Sequence, residues 1–279
     1  MRISIVTISF NQARYLERTI RSVIEQDHTD IEYIVVDPGS TDGSRDIIQK
    51  YRSRISMVIY DPDDGPADGL NKGFSHATGD IFGFLNSDDI LLPSALSYVN
   101  EYFITHSNVD VVSGHSIIID EYDKELRKGY SEHFSLIKYA YGAIVLMQPS
   151  TFYKPELFRA VGGFNKLNKV TWDGELFVDM GMRGAKYTVT DEMLSGFRLH
   201  RESITSSSKL DKLHKAYKKY IFQKIMGRAW RKPDIIIGTL FRIMKHLSNP
   251  RALYERIARG PIYGRDAKQL KRNFSNRSK

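Results

Sequence analysis

The sequence predicts an α/β protein with a mixed, mostly parallel sheet flanked by helices and a basic, mainly helical C-terminal extension. Three observations predict it. Short apolar runs alternate with helical-period segments through residues 1–120, the rhythm of parallel strands joined by right-handed crossovers. Asp, Asn, Ser and Gly collect just past these runs, where open parallel sheets bind their ligands. Residues 210–279 hold 19 Lys and Arg against 4 Asp and Glu, a net of +15, whereas residues 1–209 carry −7. The chain is therefore divided into a body, 1–208, and an extension, 209–279.

Taken in order, ISIVTIS (3–9) is β-branched and apolar and predicts the first strand. Leu16, Ile20, Val23 and Ile24 follow at helical spacing. YIVVD (33–37) reads as a buried strand stopped by Pro38-Gly39. A helix over 44–51, a strand over 56–60, a short helix over 67–77 and a strand over 80–85 complete the alternation. Beyond it the pattern is less regular. VDVVSG and SIIID read as two strands, EYDKELRKG as a charged turn, and QPSTF as a strand before a helix opened by Pro155 and ended by Gly162-Gly163. WDGELFVDMGMRG (172–184) reads as a further helix with Asp173 at its start. Basic helices follow Ser206-Ser207-Ser208.

The 279 residues contain no cysteine, so disulfides and thiolate metal sites are excluded and a reducing compartment is expected. The N-terminal apolar run is interrupted by Ser4, Thr7 and Ser9 and reads as a strand, not a signal peptide. No apolar run approaches the ~20 residues of a membrane span. A soluble, cytoplasmic protein is the expectation. Neither G-x-S-x-G, G-x-G-x-x-G nor the P-loop pattern occurs, and the histidines lack zinc spacing.

What remains is an acidic edge. Ser9 and Asn11 follow the first strand, Asp37 the second, Asp61, Asp63, Asp64 and Asp68 the third, and Asn86, Asp88 and Asp89 the fourth. Each alone suits a turn or a cap, and Asp68 with Lys72 suits a surface ion pair. Gathered on one edge they repel one another unless a cation compensates. Oxygen ligands of this kind suit Mg²⁺ or Mn²⁺ shared with substrate phosphates.

SIVTISFNQ, VVDPGSTDGS, the D-x-G…N-K-G segment (63–73), ATGDIFGFLNSDD, QPSTF, VGGF and FRLH resemble, in that order, the family 2 glycosyltransferases over about residues 1–205. The resemblance implies the GT-A nucleotide-diphosphosugar transferase fold. It also implies inverting transfer of a sugar from a nucleotide donor, UDP-linked by default, to an acceptor hydroxyl. Carried over by position, Thr7, Ser9, Asp37, Asp68 and Asp88 would meet the nucleotide, Asp89 and His200 the Mn²⁺ or Mg²⁺ ion, and Asp173 would be the catalytic base. The chain departs from the family at Pro38, where many relatives have a second acid, at Leu70, where Arg is frequent, and at Trp172, where Glu precedes the catalytic Asp.

Two other classes stay open: a sugar-nucleotide nucleotidyltransferase, whose Gly-rich, Arg-containing N-terminal loop is missing here, and a non-catalytic nucleotide-sugar or membrane-binding protein. In the extension, aromatic and aliphatic residues interleave with cations. This suits helices packed on the body or a peripheral patch on an anionic membrane at the inner face of the cell membrane, the second fitting a saccharide or lipid-linked saccharide acceptor. No nucleic-acid-binding module is recognisable.

Overall fold

A computed structural model describes residues 1–200 and 210–260. Its first part alternates β1 (Ile3–Ile8), α1 (Ala13–Ile24), β2 (Ile31–Val36), α2 (Ser44–Lys50), β3 (Met57–Ile59), α3 (Pro66–Ser75) and β4 (Ile81–Asn86). β1 pairs in parallel with β2 and β4, and β2 with β3. All four carboxyl ends therefore lie at one edge of the sheet.

The strands are apolar on both faces because each face is covered. Ile3 and Ile5 of β1 pack with Leu16, Ile20 and Val23 of α1. Val6 packs on the other face with Ile34, Val36 and Leu70 and Phe74 of α3. Gly73 allows that approach, since a Cβ there would lie 2.4 Å from Val6 Cγ1.

The second part contains β5 (Ile90–Leu91), α4 (Ala95–Thr105), β6 (Val111–Ile119), β7 (Glu125–Gly129), α5 (Leu136–Ala140), β8 (Thr151–Tyr153), α6 (Pro155–Val161), α7 (Trp172–Met182) and β9 (Tyr187–Arg198). The sheet runs β3-β2-β1-β4-β8-β6-β9-β5, with β7 on β6. Here the structure differs from the sequence reading. The two strands expected near residues 109–120 are one, β6, whose register against β9 shifts around His115. Much of the expected charged turn is β7, an edge strand whose strand partner among the described residues is β6. Its Lys128 amide donates to Glu255 at 3.2 Å, so the edge is covered and kept from pairing further. The polar residues that interrupt β6 are satisfied from its neighbours: Ser113 by Thr151 at 2.8 Å and Ser116 by Ser195 at 2.7 Å.

The extension is helical where described: α8 (Asp211–Met226), α9 (Asp234–Ser248) and α10 (Pro250–Arg259). The division expected at residue 209 lies outside the described residues; α8 packs on the body. Ile221 and Phe222 are buried, and Lys224 reaches Glu175 at 3.2 Å and Asp179 at 2.5 Å on α7. Among the described residues no helix is long and apolar enough to cross a membrane.

Candidate active site

At the end of β1, the Ser9 amide donates to Val36 O at 2.8 Å, which ties this residue to the end of β2. Asp37 follows β2 and is wholly buried. Its Oδ1 accepts from the Gly39 and Ser40 amides (3.2 and 2.8 Å) and from Arg45 Nε (3.2 Å). Among the described residues, Asp37 Oδ2 and Ser9 Oγ are buried without a partner. An unpaired buried acceptor costs about 1–3 kcal/mol, so these two atoms on adjoining strand ends remain open to a hydrogen-bond donor. Thr7 lies deeper: its side chain is within the core, and its hydroxyl accepts from Tyr33 Oη at 3.1 Å.

Asp68, on the first turn of α3, is held between Lys72 at 3.5 Å and Lys166 at 3.2 Å and accepts from the Asp64 amide at 3.1 Å. The surface pair foreseen with Lys72 is present, and a second lysine from the loop after α6 joins it. Asp63, which caps the Gly65 amide at 2.8 Å, has its carboxyl raised by burial.

After β4 the chain turns through Ser87-Asp88-Asp89, and the two carboxylates part. Asp89 points into the fold and is 1% exposed. Its Oδ1 accepts from the Arg198 amide at 2.8 Å and its Oδ2 faces Asn86 Nδ2 at 3.4 Å. Burial, then repulsion from Asp88, push its carboxyl well above the ordinary range, against the pull of the Arg198 amide. Asp88 remains partly exposed and meets His200 Nε2 through Oδ2 at 2.8 Å. Its carbonyl accepts from Arg198 Nε at 2.6 Å. Arg198 also donates to Asp120 O at 2.7 Å and pairs with Asp123 at 2.5 Å. The expectation that Asp89 faces an ion and Asp88 the nucleotide thus meets a different geometry: Asp89 braces the turn against β9, and the partly open carboxylate beside His200 is Asp88.

Asp173 sits half-buried in the first turn of α7. Burial raises its carboxyl above the usual range, and the amides of Gly174 and Asp173 itself offset only part of that. Trp172 belongs to the apolar cluster that holds Phe84 of β4, and its indole N–H has no partner among the described residues. Glu175, two residues further on, is anchored instead: it accepts from Asn165, Asn168 and Lys224 at 3.1, 2.8 and 3.2 Å. Asp191, on β9, is 84% exposed and bound to Arg251 at 3.1 Å.

Among the described residues no group of three or more His, Asp or Glu is arranged to hold a metal ion. Asp88 and His200 still form a fitting partial set, one carboxylate and one imidazole, for a cation that takes its other ligands from phosphates and water. Sequence reading missed Arg198, the buried cation that ties Asp88, Asp120 and Asp123 together. Its place in FRLH was the available signal.

The family model described as "Glycosyl transferase family 2" matches residues 4–169, and the chain belongs to that family. TuaG of Bacillus subtilis, a glycosyltransferase named for teichuronic acid biosynthesis, is 35% identical over 122 residues, 43% of this chain and 48% of that protein. TarS 1-349 of S. aureus in complex with UDP-GlcNAc superposes with a TM-score of 0.65 at 18% identity, covering 89% of this chain and 73% of that one. The mannosyltransferase PcManGT from Pyrobaculum calidifontis, in complex with GDP-Man and Mn²⁺, gives a TM-score of 0.62 at 18% identity, over 99% of this chain and 79% of that one. Both structural likenesses are in fold, and that fold is GT-A. The matches span less than half the length of the first curated relatives, 40% and 48%.

Proposed function

We propose that this chain is an inverting glycosyltransferase that moves a sugar from a nucleoside-diphosphate donor to a saccharide hydroxyl. The observation that carries the reading is the Asp88–His200 contact of 2.8 Å at the end of β4, on the edge that also carries the unpaired Asp37 Oδ2. Asp37 and Ser9 offer acceptors to the base and ribose, and Thr7 supports them from beneath. Asp68 orders Lys72 and Lys166 beside the same edge, within reach of an anionic donor. Asp88 and His200 would hold Mn²⁺ or Mg²⁺, so that Asp88 takes the metal role the family resemblance gives to Asp89, which instead braces the turn. Such an ion neutralises the charge of a departing diphosphate. The Mn²⁺ in the mannosyltransferase complex and the UDP-sugar in the TarS complex support a metal and a nucleotide sugar, with UDP as the default.

Asp173 takes the acceptor proton as the hydroxyl attacks. Its raised carboxyl brings it closer to the working pH than an ordinary aspartate, which favours proton transfer. A single displacement needs one base, and holding donor and acceptor in line contributes much of the remaining acceleration. The name of TuaG supports a place in polysaccharide synthesis, with a saccharide or lipid-linked saccharide as acceptor. A screen of nucleotide sugars for Mn²⁺-dependent hydrolysis tests the proposal. One donor class should be hydrolysed by the wild type and not by Asp88→Asn. Hydrolysis of none, or equal hydrolysis by the variant, overturns it.

A further inference from the structure

The outward face of α9 is apolar, the reverse of an ordinary surface helix. Its inward face is fixed by four positions at helical spacing. Asp234 takes a two-pronged contact from Arg228 at 2.7 Å and a hydrogen bond from Tyr141 Oη at 2.7 Å. Gly238 lies against Tyr141, Phe241 stacks on the Tyr141 ring with centroids 5.4 Å apart, and Lys245 pairs with Glu132 at 3.1 Å. These contacts set the rotation of the helix and leave Ile236, Leu240, Ile243 and Leu247 pointing away, 66, 55, 51 and 74% exposed. They recur every three to four residues, so they form one stripe along a helix about 22 Å long. Scattered exposed apolar side chains need no explanation, but a continuous stripe marks a binding surface.

Charge decides what binds. Residues 227–260 contain eight Lys and Arg and two acids, Asp234 and Glu255. Both acids are buried, and the exposed carboxylates that meet this segment, Asp191 and Glu125, pair with Arg251 and Arg259 of α10, away from α9. Arg231, Lys232 and Arg242 are exposed around the stripe. A second copy of the chain would bring the same cations face to face, because a two-fold interface pairs a surface with itself. An anionic bilayer answers both features: headgroups take the cations, and the acyl boundary takes the stripe.

We infer that α9 is a membrane-docking helix that lies in the plane of an anionic bilayer with Ile236, Leu240, Ile243 and Leu247 inserted at the headgroup boundary. The inference stands on this surface and not on the transfer chemistry. Vesicles without saccharide therefore test it separately from the proposed reaction.

The experiment is cosedimentation of the full chain with phosphatidylcholine vesicles, with or without phosphatidylglycerol, at low and high salt. The wild type should bind the anionic vesicles, release them as salt screens the headgroups, and bind neutral vesicles weakly. The combined I236Q/L240Q/I243Q/L247Q variant, which keeps good helix formers at exposed positions, should lose at least about tenfold in partitioning with an unchanged Tm. Lys232→Ala should lose about fivefold. Wild-type binding indifferent to phosphatidylglycerol overturns the inference. So does a concentration-dependent dimer that the variant abolishes without any vesicle binding.

Discussion

Asp173 and Glu175 stand two residues apart on one turn of α7, and their surroundings treat them in opposite ways. Among the described residues Asp173 has no side-chain partner to oppose burial, and its carboxyl rises. Glu175 is also desolvated, but hydrogen bonds from Asn168, Asn165 and Lys224 more than offset this and lower it. Asp173→Asn should therefore reduce kcat by about 10²-fold or more with donor affinity retained. The base works deprotonated, so wild-type kcat should fall as pH drops through a value above the ordinary ~3.9 of aspartate. A pH–rate profile checks this, and an acid limb unchanged in the Asn variant would place the base elsewhere. Glu175→Ala should instead lower stability by about 3 kcal/mol, the scale for breaking a buried charge pair, as read by urea unfolding. Because the folded-state carboxyl lies below its unfolded value, that contribution is present above about pH 4.3 and lost as pH falls through the folded value. The sequence made the adjacency of Asp88 and Asp89 legible, but not their directions. Those depend on the Arg198 amide, 109 positions from Asp89 in the chain, which no local pattern reports.

Among the elements, those whose signal is local were legible. β1 to β4 are apolar on both faces and separated by Gly, Pro and Asp. β6 looks like two strands in sequence because Ser113, Gly114, His115 and Ser116 interrupt it, and its hydroxyls are paired only once β8 and β9 are in place. In α9, local pattern and tertiary anchoring conflict. The helix is mostly apolar, and its orientation follows from the polar Asp234 at its first position, which burial alone would have placed outward. Its carboxyl is lowered by the Arg228 hydrogen bonds against the opposing cost of burial, with help from the Arg231 amide and Tyr141. Asp234→Ala should remove the anchor, raise hydrogen exchange along α9 and lower Tm by about 5 °C. Nucleotide binding should persist, since every proposed donor contact lies before residue 201. Unchanged exchange in α9 would show that Tyr141 and Phe241 suffice to hold it.

At the scale of the whole molecule, the parallel half of the sheet turns scattered acidic loops into one edge on a body of net charge −7. The cost of that edge is visible in the unpaired Ser9 Oγ and Asp37 Oδ2 and in the raised carboxyl of Asp89. On the function proposed above, a nucleoside diphosphate with its cation would relieve both, by pairing the acceptors and neutralising the carboxylates together. The two should therefore stabilise the fold jointly. With Asp88 and His200 as the two proposed protein ligands among the described residues, Mn²⁺ alone should bind weakly, because it needs the diphosphate oxygens to complete its shell. At about 100 times Kd a ligand adds about 2.7 kcal/mol, a rise in Tm of about 5–10 °C for a chain of this size. Thermal melts with Mn²⁺, with UDP, and with both should show most of the rise in the last mixture. Asp88→Asn should lose the Mn²⁺-dependent part while keeping the starting Tm. Asp89→Ala should lower the starting Tm by leaving the Arg198 amide unpaired, yet keep the Mn²⁺-dependent increment. The opposite pattern, an increment lost with Asp89 and kept without Asp88, would return the metal to the residue that the family resemblance first assigned.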